Sequence, residues 1–234
     1  MAQSVPRFIA VADHAVLIEF GQSIEASITA KVQALDRAIT SQPPTGVIEV
    51  TPAFVNLLVM FDPLLTDHES LIEATRALLD QADDHIHSSR LHDVPVCYES
   101  EFSPDLISVS TQTGLDESEV IAVHQDAVYT VGMYGFAPGY AYLSGTPEAI
   151  QVPRKTKAVR DVPVGSVMIA GAQCLITTLD MPTGWSVIGR SPKAILRHDS
   201  ENPFLFAIGD QVRFHQIDQQ TIDMELKKAN REND

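Results

Sequence analysis

Apolar positions in the first third of the chain follow two alternating periods. "RFIAVADHAVLIEF" is a pair of short apolar runs broken at Asp13 and His14, which predicts strand, tight turn, strand. Ile24, Ile28, Val32, Leu35 and Ile39 follow at spacings of four, four, three and four, the single stripe of an amphipathic helix, with Ser23 placed as its N-cap and Pro43 and Pro44 ending it. "GVIEV" and "NLLVMF" read as two further strands around "TPAF". Thr66 and Glu69 then have capping-box spacing ahead of a second helix carrying Leu71, Ile72, Thr75, Leu78 and Leu79. The order is ββαββα. Two helices on one face of a four-stranded sheet bury both stripes, so residues 1–85 are expected to form a two-layer α+β N-terminal domain.

Residues 86–93 belong to a polar stretch, "DDHIHSSRLHD", which reads as a linker or an edge strand. From Val94 the texture changes to short strands and many turns, and "AVYTVGMY", "SVMIAGAQCLITTL", "WSVIG" and "DQVRFHQI" are strand-like. No helical stretch separates these strands to make parallel crossovers, so an all-β barrel, closed or nearly so, is expected over 94–222. Two helices interrupt it early. Ser103 and Pro104 open the first and Gly114 stops it; Asp116 and Glu119 open the second, which carries Val120, Ile121 and His124. Residues 223–234 are charged and expected to fray.

Composition narrows the function. At 234 residues there is room for two domains, and 44% hydrophobic with 20% charged content is ordinary for a globular protein. No apolar run approaches the roughly eighteen residues needed to cross a bilayer, and the start lacks a secretory pattern, so a cytoplasmic protein with no membrane partner is expected. Cys97 and Cys174 sit in apolar runs and read as buried, reduced thiols. A net charge of -15 argues against nucleic acid as partner. His85 and His87 would point the same way on a strand, but without cysteines or helical ligand spacing no metal site is expected.

Serine-hydrolase elbows, Walker-type phosphate loops and zinc helices are absent from the sequence. Charge is more informative. No Lys or Arg occurs from Leu91 to Pro153, and then Arg154, Lys155, Lys157 and Arg160 arrive together. This island is either the local attractor for a carboxylate, carbamate or phosphate, or a solvated loop balancing neighbouring acids. Just before it, "GMYGFAPGYAYLSG" packs four glycines, a proline and four aromatics into fourteen residues. Gly and Pro between strands make either a bulge and corner or a rigid pocket walled by Phe136, Tyr140 and Tyr142. His124 near a helix C-terminus reads as a dipole partner or a general base. "MPTGW" around Trp185 is either turn packing or a ligand platform.

"GFAPGYAYLSG", "VPR", "VPVGSVMIAGAQ", "PTGWSVIGRSP" and "GDQVRFHQI" occur in an order and near a spacing that resemble the family of the 5-oxoprolinase B subunit. That family also includes the sporulation-kinase inhibitor KipI and allophanate hydrolase subunit 1, or carboxyltransferase C/D-subdomain, proteins. "ADHAVLIEFG", "GVIEV" and "NLLVMFDP" resemble its N-terminal domain, so the likeness runs from about Pro6 to Ile217. The resemblance implies an α+β domain followed by a cyclophilin-like β-barrel. It further implies a homologous C-type partner, a third, A-type partner in the 5-oxoprolinase case, and ATP-dependent opening of 5-oxoproline to glutamate, with ATP held in part or wholly by a partner. Two alternatives come with it: a non-catalytic kinase-inhibitor-like regulator, and the carboxyltransferase part of a urea carboxylase or allophanate pathway. No biotin-acceptor "MKM" is present, so any biotin would come from another chain.

Carried over residue by residue, the family motif falls on Gly135, Phe136, Pro138, Gly139, Tyr142, Pro163, Gly165, Ser166, Gly171, Gly184, Trp185 and Arg190 as substrate-binding positions. Arg154 becomes an anion clamp, Gln173 an amide partner for a lactam or urea, and His124 a proton carrier. The substrate implied is a small anionic or amide compound. The chain departs from the family pattern at Ala158, Val159, Asp161, Thr177, Thr178 and Thr183, changes expected to alter the shape and charge of the cleft.

Overall fold

The computed structural model describes residues 6–81, 89–197 and 201–232. The chain divides into two compact units, Met1–Ser88 and Ser89–Asp234. His85 and His87 lie outside the described residues.

The first unit runs β1 (Arg7–Val11), β2 (Ala15–Glu19), α1 (Ala26–Ser41), β3 (Val47–Pro52), β4 (Asn56–Phe61) and α2 (His68–Leu79). The strands form one antiparallel sheet in the order β1-β2-β4-β3. Val16 and Ile18 of β2 and Leu57, Val59 and Phe61 of β4 point to one face, where they meet Val32, Leu35 and Ile39 of α1 and Leu71 of α2. The period-two and period-3.6 stripes therefore bury each other. Both helix starts differ from expectation. Glu25, not Ser23, occupies the N-cap of α1, and the Ser23 hydroxyl donates instead to Glu25 Oε1 at 2.8 Å. At α2 the cap is Asp67, whose Oδ1 accepts from the Ser70 amide at 2.8 Å. Thr66 is taken up by the preceding turn, its amide donating to Asp62 O.

In the second unit β5 (Leu91–Val96) precedes α3 (Leu106–Thr113) and α4 (Glu117–Asp126). Then come β6 (Tyr129–Tyr134), β7 (Ala141–Ser144), β8 (Val159–Val162), β9 (Ser166–Ala170), β10 (Gln173–Ile176), β11 (Met181–Thr183), β12 (Ser186–Arg190), β13 (Gln211–Gln216) and α5 (Gln219–Glu232). Seven strands form one sheet in the order β12-β9-β10-β7-β6-β13-β5, and β8 and β11 pair separately. The sheet curls until its ends meet. Cys97, just past β5, and Arg190 at the end of β12 exchange two backbone hydrogen bonds of 2.8 and 2.9 Å. Gly189 permits this closure, because a methyl group there would come within 2.6 Å of Val96 Cγ1 and 3.0 Å of Cys97 O.

Val94, Val96, Val131, Leu143, Val167, Ile169, Cys174, Ile176, Ile188, Val212 and Phe214 fill the interior. Met168, Ala170, Leu175 and Val187 alternate with these to the outer side of their strands and form a second apolar layer with Tyr140, Val162 and Trp185. Every residue of β9 is buried, which accounts for the apolar run "VMIA" after Ser166.

Several expectations need correction. The second unit is not all-β, since α3, α4 and α5 pack on it, with Leu106, Val109 and Val120 in the core and Ile222 against Cys97 and Phe102. The expected frayed tail is helical through Glu232, held by that buried Ile222. β13 and β5 pair in parallel, the long chain between them serving as the crossover. Residues 91–93 of the expected linker belong to β5. The first barrel helix is capped at Asp105 rather than Ser103, whose hydroxyl donates to Tyr98 O and Glu99 O. By contrast, Gly114 ends α3 at φ 74° and the Asp116/Glu119 capping box opens α4 as expected. Among the described residues no helix is long and apolar enough to cross a membrane.

Candidate functional site

The glycine-rich run is the corner between β6 and β7. Gly135 N donates to Tyr140 O at 3.2 Å and Tyr140 N to Ala137 O at 3.1 Å, so the segment folds back on itself. Phe136 sits at φ 72° and leaves its ring 76% exposed, a strained backbone that presents an aromatic side chain to solvent. Pro138 O accepts from the Thr178 hydroxyl at 2.7 Å, which ties the corner to the end of β10. Rings continue inward from there: Phe136 to Tyr140 at 5.5 Å, Tyr140 to Tyr142 at 5.8 Å, Tyr142 to Trp185 at 5.9 Å between centroids. The run is thus both corner and aromatic wall.

Arg154 stands beside this wall. Lys155 N donates to Gly184 O at 2.7 Å, and a methyl group at Gly184 would lie 3.9 Å from Arg154 Nε, so the "VPR" segment runs along the "TGW" turn. Burial pushes the Tyr140 phenol up to about 12, and burial likewise raises Tyr142; the Arg154 charge opposes both shifts. Arg154 is exposed and forms no ion pair or hydrogen bond with the described residues. Gly171 N donates to Val152 O at 2.8 Å, which ties the β9–β10 turn to the same segment. Gln173, opening β10, alternates with the inward Cys174 and so shares the outer face with Leu175, its amide likewise unpaired among the described residues. A cation, a free amide and flat apolar rings on one face can hold a small compound with a carboxylate and an amide.

Other predicted residues lie elsewhere. Pro163, Ser166 and Arg190, at the far end of β9 and β12, border a hollow of about 250 Å³ with Lys155, Arg160 and Asp161. This hollow adjoins the aromatic face through Val162 and Val187, which belong to both. Gly165 and Arg190 also border a separate cavity of about 570 Å³. The residues expected in one cleft therefore divide between two adjoining surfaces and a third cavity.

His124 is in none of them. It is fully buried inside the barrel, stacked on Phe214 at 4.6 Å, with Nδ1 2.8 Å from the Tyr98 hydroxyl and Nε2 3.8 Å from Cys174 Sγ. Burial lowers its pKa to about 3 and pushes the Cys174 and Tyr98 groups up, so all three stay neutral at pH 7. A proton carrier needs a route to the reacting group, and this placement offers none, so the ring is a core residue.

Three of the departures are hydrogen-bonded scaffolding. The Thr177 hydroxyl donates to Pro163 O and accepts from Ser166 N, both at 2.8 Å. Thr178 holds the corner, and Thr183 Oγ1 accepts from the Trp185 amide at 3.0 Å. Asp161 takes φ 55° in an exposed strand; Ala158 and Val159 are exposed as well. Sequence reasoning missed Asp105. Its Oδ2 pairs with Lys155 Nζ at 2.5 Å and accepts from Val187 N at 2.7 Å, so it withdraws one cation from the basic island. No local signal marks a contact across 50 residues.

The chain is 36% identical to the B subunit of 5-oxoprolinase from Bacillus subtilis (strain 168) over 216 residues, covering 88% of this chain and 90% of that protein. A crystal structure of TTHA0988 superposes with a TM-score of 0.77 at 31% identity, over 88% of this chain but only 40% of that longer one. K. lactis urea amidolyase matches at a TM-score of 0.79 and 15% identity, over 97% of this chain and 16% of that one, a likeness of fold. The family model described as carboxyltransferase domain, subdomain C and D, matches residues 6–206. By that match and by its identity to the Bacillus relative, the chain belongs to the carboxyltransferase subdomain C and D family that includes the B subunit of 5-oxoprolinase.

Proposed function

We propose that the chain is the B-type component of an ATP-dependent amidohydrolase that opens 5-oxoproline to glutamate, working with a homologous C-type partner and a third, A-type partner. The observation that carries this reading is the 36% identity to a 5-oxoprolinase B subunit over 90% of that protein's length. In this reading the second unit is a cyclophilin-like barrel whose outer face, not its interior, meets substrate. Arg154 takes the 5-oxoproline carboxylate, Tyr142 offers ring surface backed by the buried Trp185, and the Gln173 amide meets the lactam. A charged hydrogen bond of the Arg154 kind contributes about 1.5–3 kcal/mol once water is excluded. Arg154 and Phe136 are exposed on this face, so in this reading the C-type partner covers it before lactam opening can be shielded from bulk water. With no Walker-type loop in the sequence, the reading places ATP in the assembly, with the partner chains supplying phosphate contacts. ATP supplies the energy that makes the lactam carbonyl open to water.

The test is co-expression with the C-type and A-type partners followed by assay of 5-oxoproline-dependent ATP turnover and glutamate. Turnover that requires all chains supports the reading. Wild-type chains that assemble yet give none refute it. The likeness to urea amidolyase, at 15% identity, extends to the fold alone.

A further inference from the structure

The 570 Å³ cavity shares only Arg190 with the smaller hollow and has a different electrical character. Arg190, Lys193 and Arg197 border it, and no Asp or Glu does among the described residues. The chain as a whole carries 31 acidic and 16 basic residues, so a wall of three cations without an acid runs against the composition. None of the three forms an ion pair among the described residues. The volume falls within the roughly 300–1,000 Å³ range of small-molecule sites.

The wall is pinned in place. Gly165 at φ 83° lets the β9 approach press against Ser191: a methyl group there would come within 2.3 Å of Ser191 O, and Ser191 N donates to Gly165 O at 2.8 Å. Arg190 Nε donates to Val164 O at 3.1 Å, which fixes the side chain and leaves its terminal nitrogens free. Downstream, Leu205 N bonds Ile195 O and Arg197 N bonds Pro203 O, each at 2.8 Å, so the cation-bearing segment is held by a second run of chain. The Thr177 and Thr178 hydroxyls on the opposite side are already satisfied by Pro163 O and Pro138 O. Ile195, Leu196 and Leu226 supply apolar surface. Among the described lining residues there is no negative charge. Three cations, Arg190 held by its side chain and Lys193 and Arg197 carried on a segment tied by backbone hydrogen bonds, stand beside apolar surface and match a compact compound bearing two or three carboxylate or phosphate groups.

We propose that this cavity binds a small organic polyanion at a site separate from the Arg154 face. Acidic surface elsewhere repels such a compound and so directs it here. The site belongs to the chain on its own and does not depend on the 5-oxoprolinase reading.

Titration calorimetry on the full chain without partners, at low ionic strength, tests it with three probes: citrate, tripolyphosphate and ATP. At least one binds once per chain with Kd below about 1 mM; citrate alone marks a polycarboxylate site, tripolyphosphate and ATP a polyphosphate site. The Lys193→Ala/Arg197→Ala double variant weakens binding at least about tenfold, and Ala194→Glu, which adds a carboxylate to the wall, does the same. Lys193, Ala194 and Arg197 are all exposed, and thermal melts confirm that the variants fold. Arg154→Ala leaves binding intact. The proposal is overturned if no probe binds, if both wall variants bind like wild type, or if Arg154→Ala abolishes binding.

Discussion

Replacing His124 by glutamine separates a core histidine from a catalytic one through pH. In the folded chain burial holds the imidazole at about 3, against 6.5 when unfolded. Below pH 6.5 the unfolded chain therefore takes up a proton that the folded chain refuses, and stability is lost as pH falls. Each pH step of one between those two values corresponds to about 1.4 kcal/mol. Integrated between pH 7 and pH 5, this linkage costs about 2 kcal/mol, because the folded ring stays neutral throughout that window. Other groups titrate there too, so the quantity to measure is a difference: urea unfolding of wild type and His124→Gln at both pH values. Wild type should lose about 2 kcal/mol more than the variant over that interval. The variant itself starts less stable at pH 7, by about 1–3 kcal/mol, since it disturbs the hydrogen bond to Tyr98 and the stack on Phe214. Equal pH dependence in the two proteins, or an imidazole titrating near 6.5 by NMR, would refute the placement of this ring in a dry core.

Gly189→Ala should destabilise by about 2–4 kcal/mol, from overpacking and loss of the closing hydrogen bonds, read as a lower urea midpoint; a change under about 0.5 kcal/mol would mean that the barrel does not close there. Burial raises the Asp36 carboxyl from 3.8 to about 6, so its contribution favours the folded state at acid pH and is lost as pH rises through that range. Asp36→Asn should then stabilise the chain at pH 7 by about 1 kcal/mol after allowance for solvent screening, with no gain at pH 4. Phe136→Gly relieves a positive φ at an exposed site and should raise stability by about 0.5–1 kcal/mol while weakening substrate capture in the assembled enzyme, which would be seen as a higher KM for 5-oxoproline.

Local pattern carried the first unit. Its stripes at Val32, Leu35 and Ile39 and along β2 and β4 were readable because each element's period states which face is buried. N-caps slipped by a residue or two: at α2 the Asp67 carboxylate takes the Ser70 amide while Thr66 belongs to the preceding turn, and Glu25 and Asp105 stand at their caps without a side-chain hydrogen bond. In the barrel the strands were visible, but what joins them was not. Closure depends on Gly189 meeting Val96 and Cys97, which lie far earlier in the chain. His124 is buried against Phe214, and Asp105 takes Lys155 out of the basic island. These are contacts between distant segments, which periodicity cannot express. Glycines, aromatics and the basic island did mark the Arg154 face, whereas Arg190 and Gly165 joined the same group only by resemblance and border neighbouring cavities instead.

The proposed activity rests above all on Arg154, beside Tyr142 and Trp185, holding the anionic group of the substrate. It is tested most sharply by 5-oxoproline-dependent ATP turnover in the assembled complex carrying Arg154→Ala. A fall of about a hundredfold with assembly intact is expected; turnover at the wild-type rate would show that the guanidinium plays no such part.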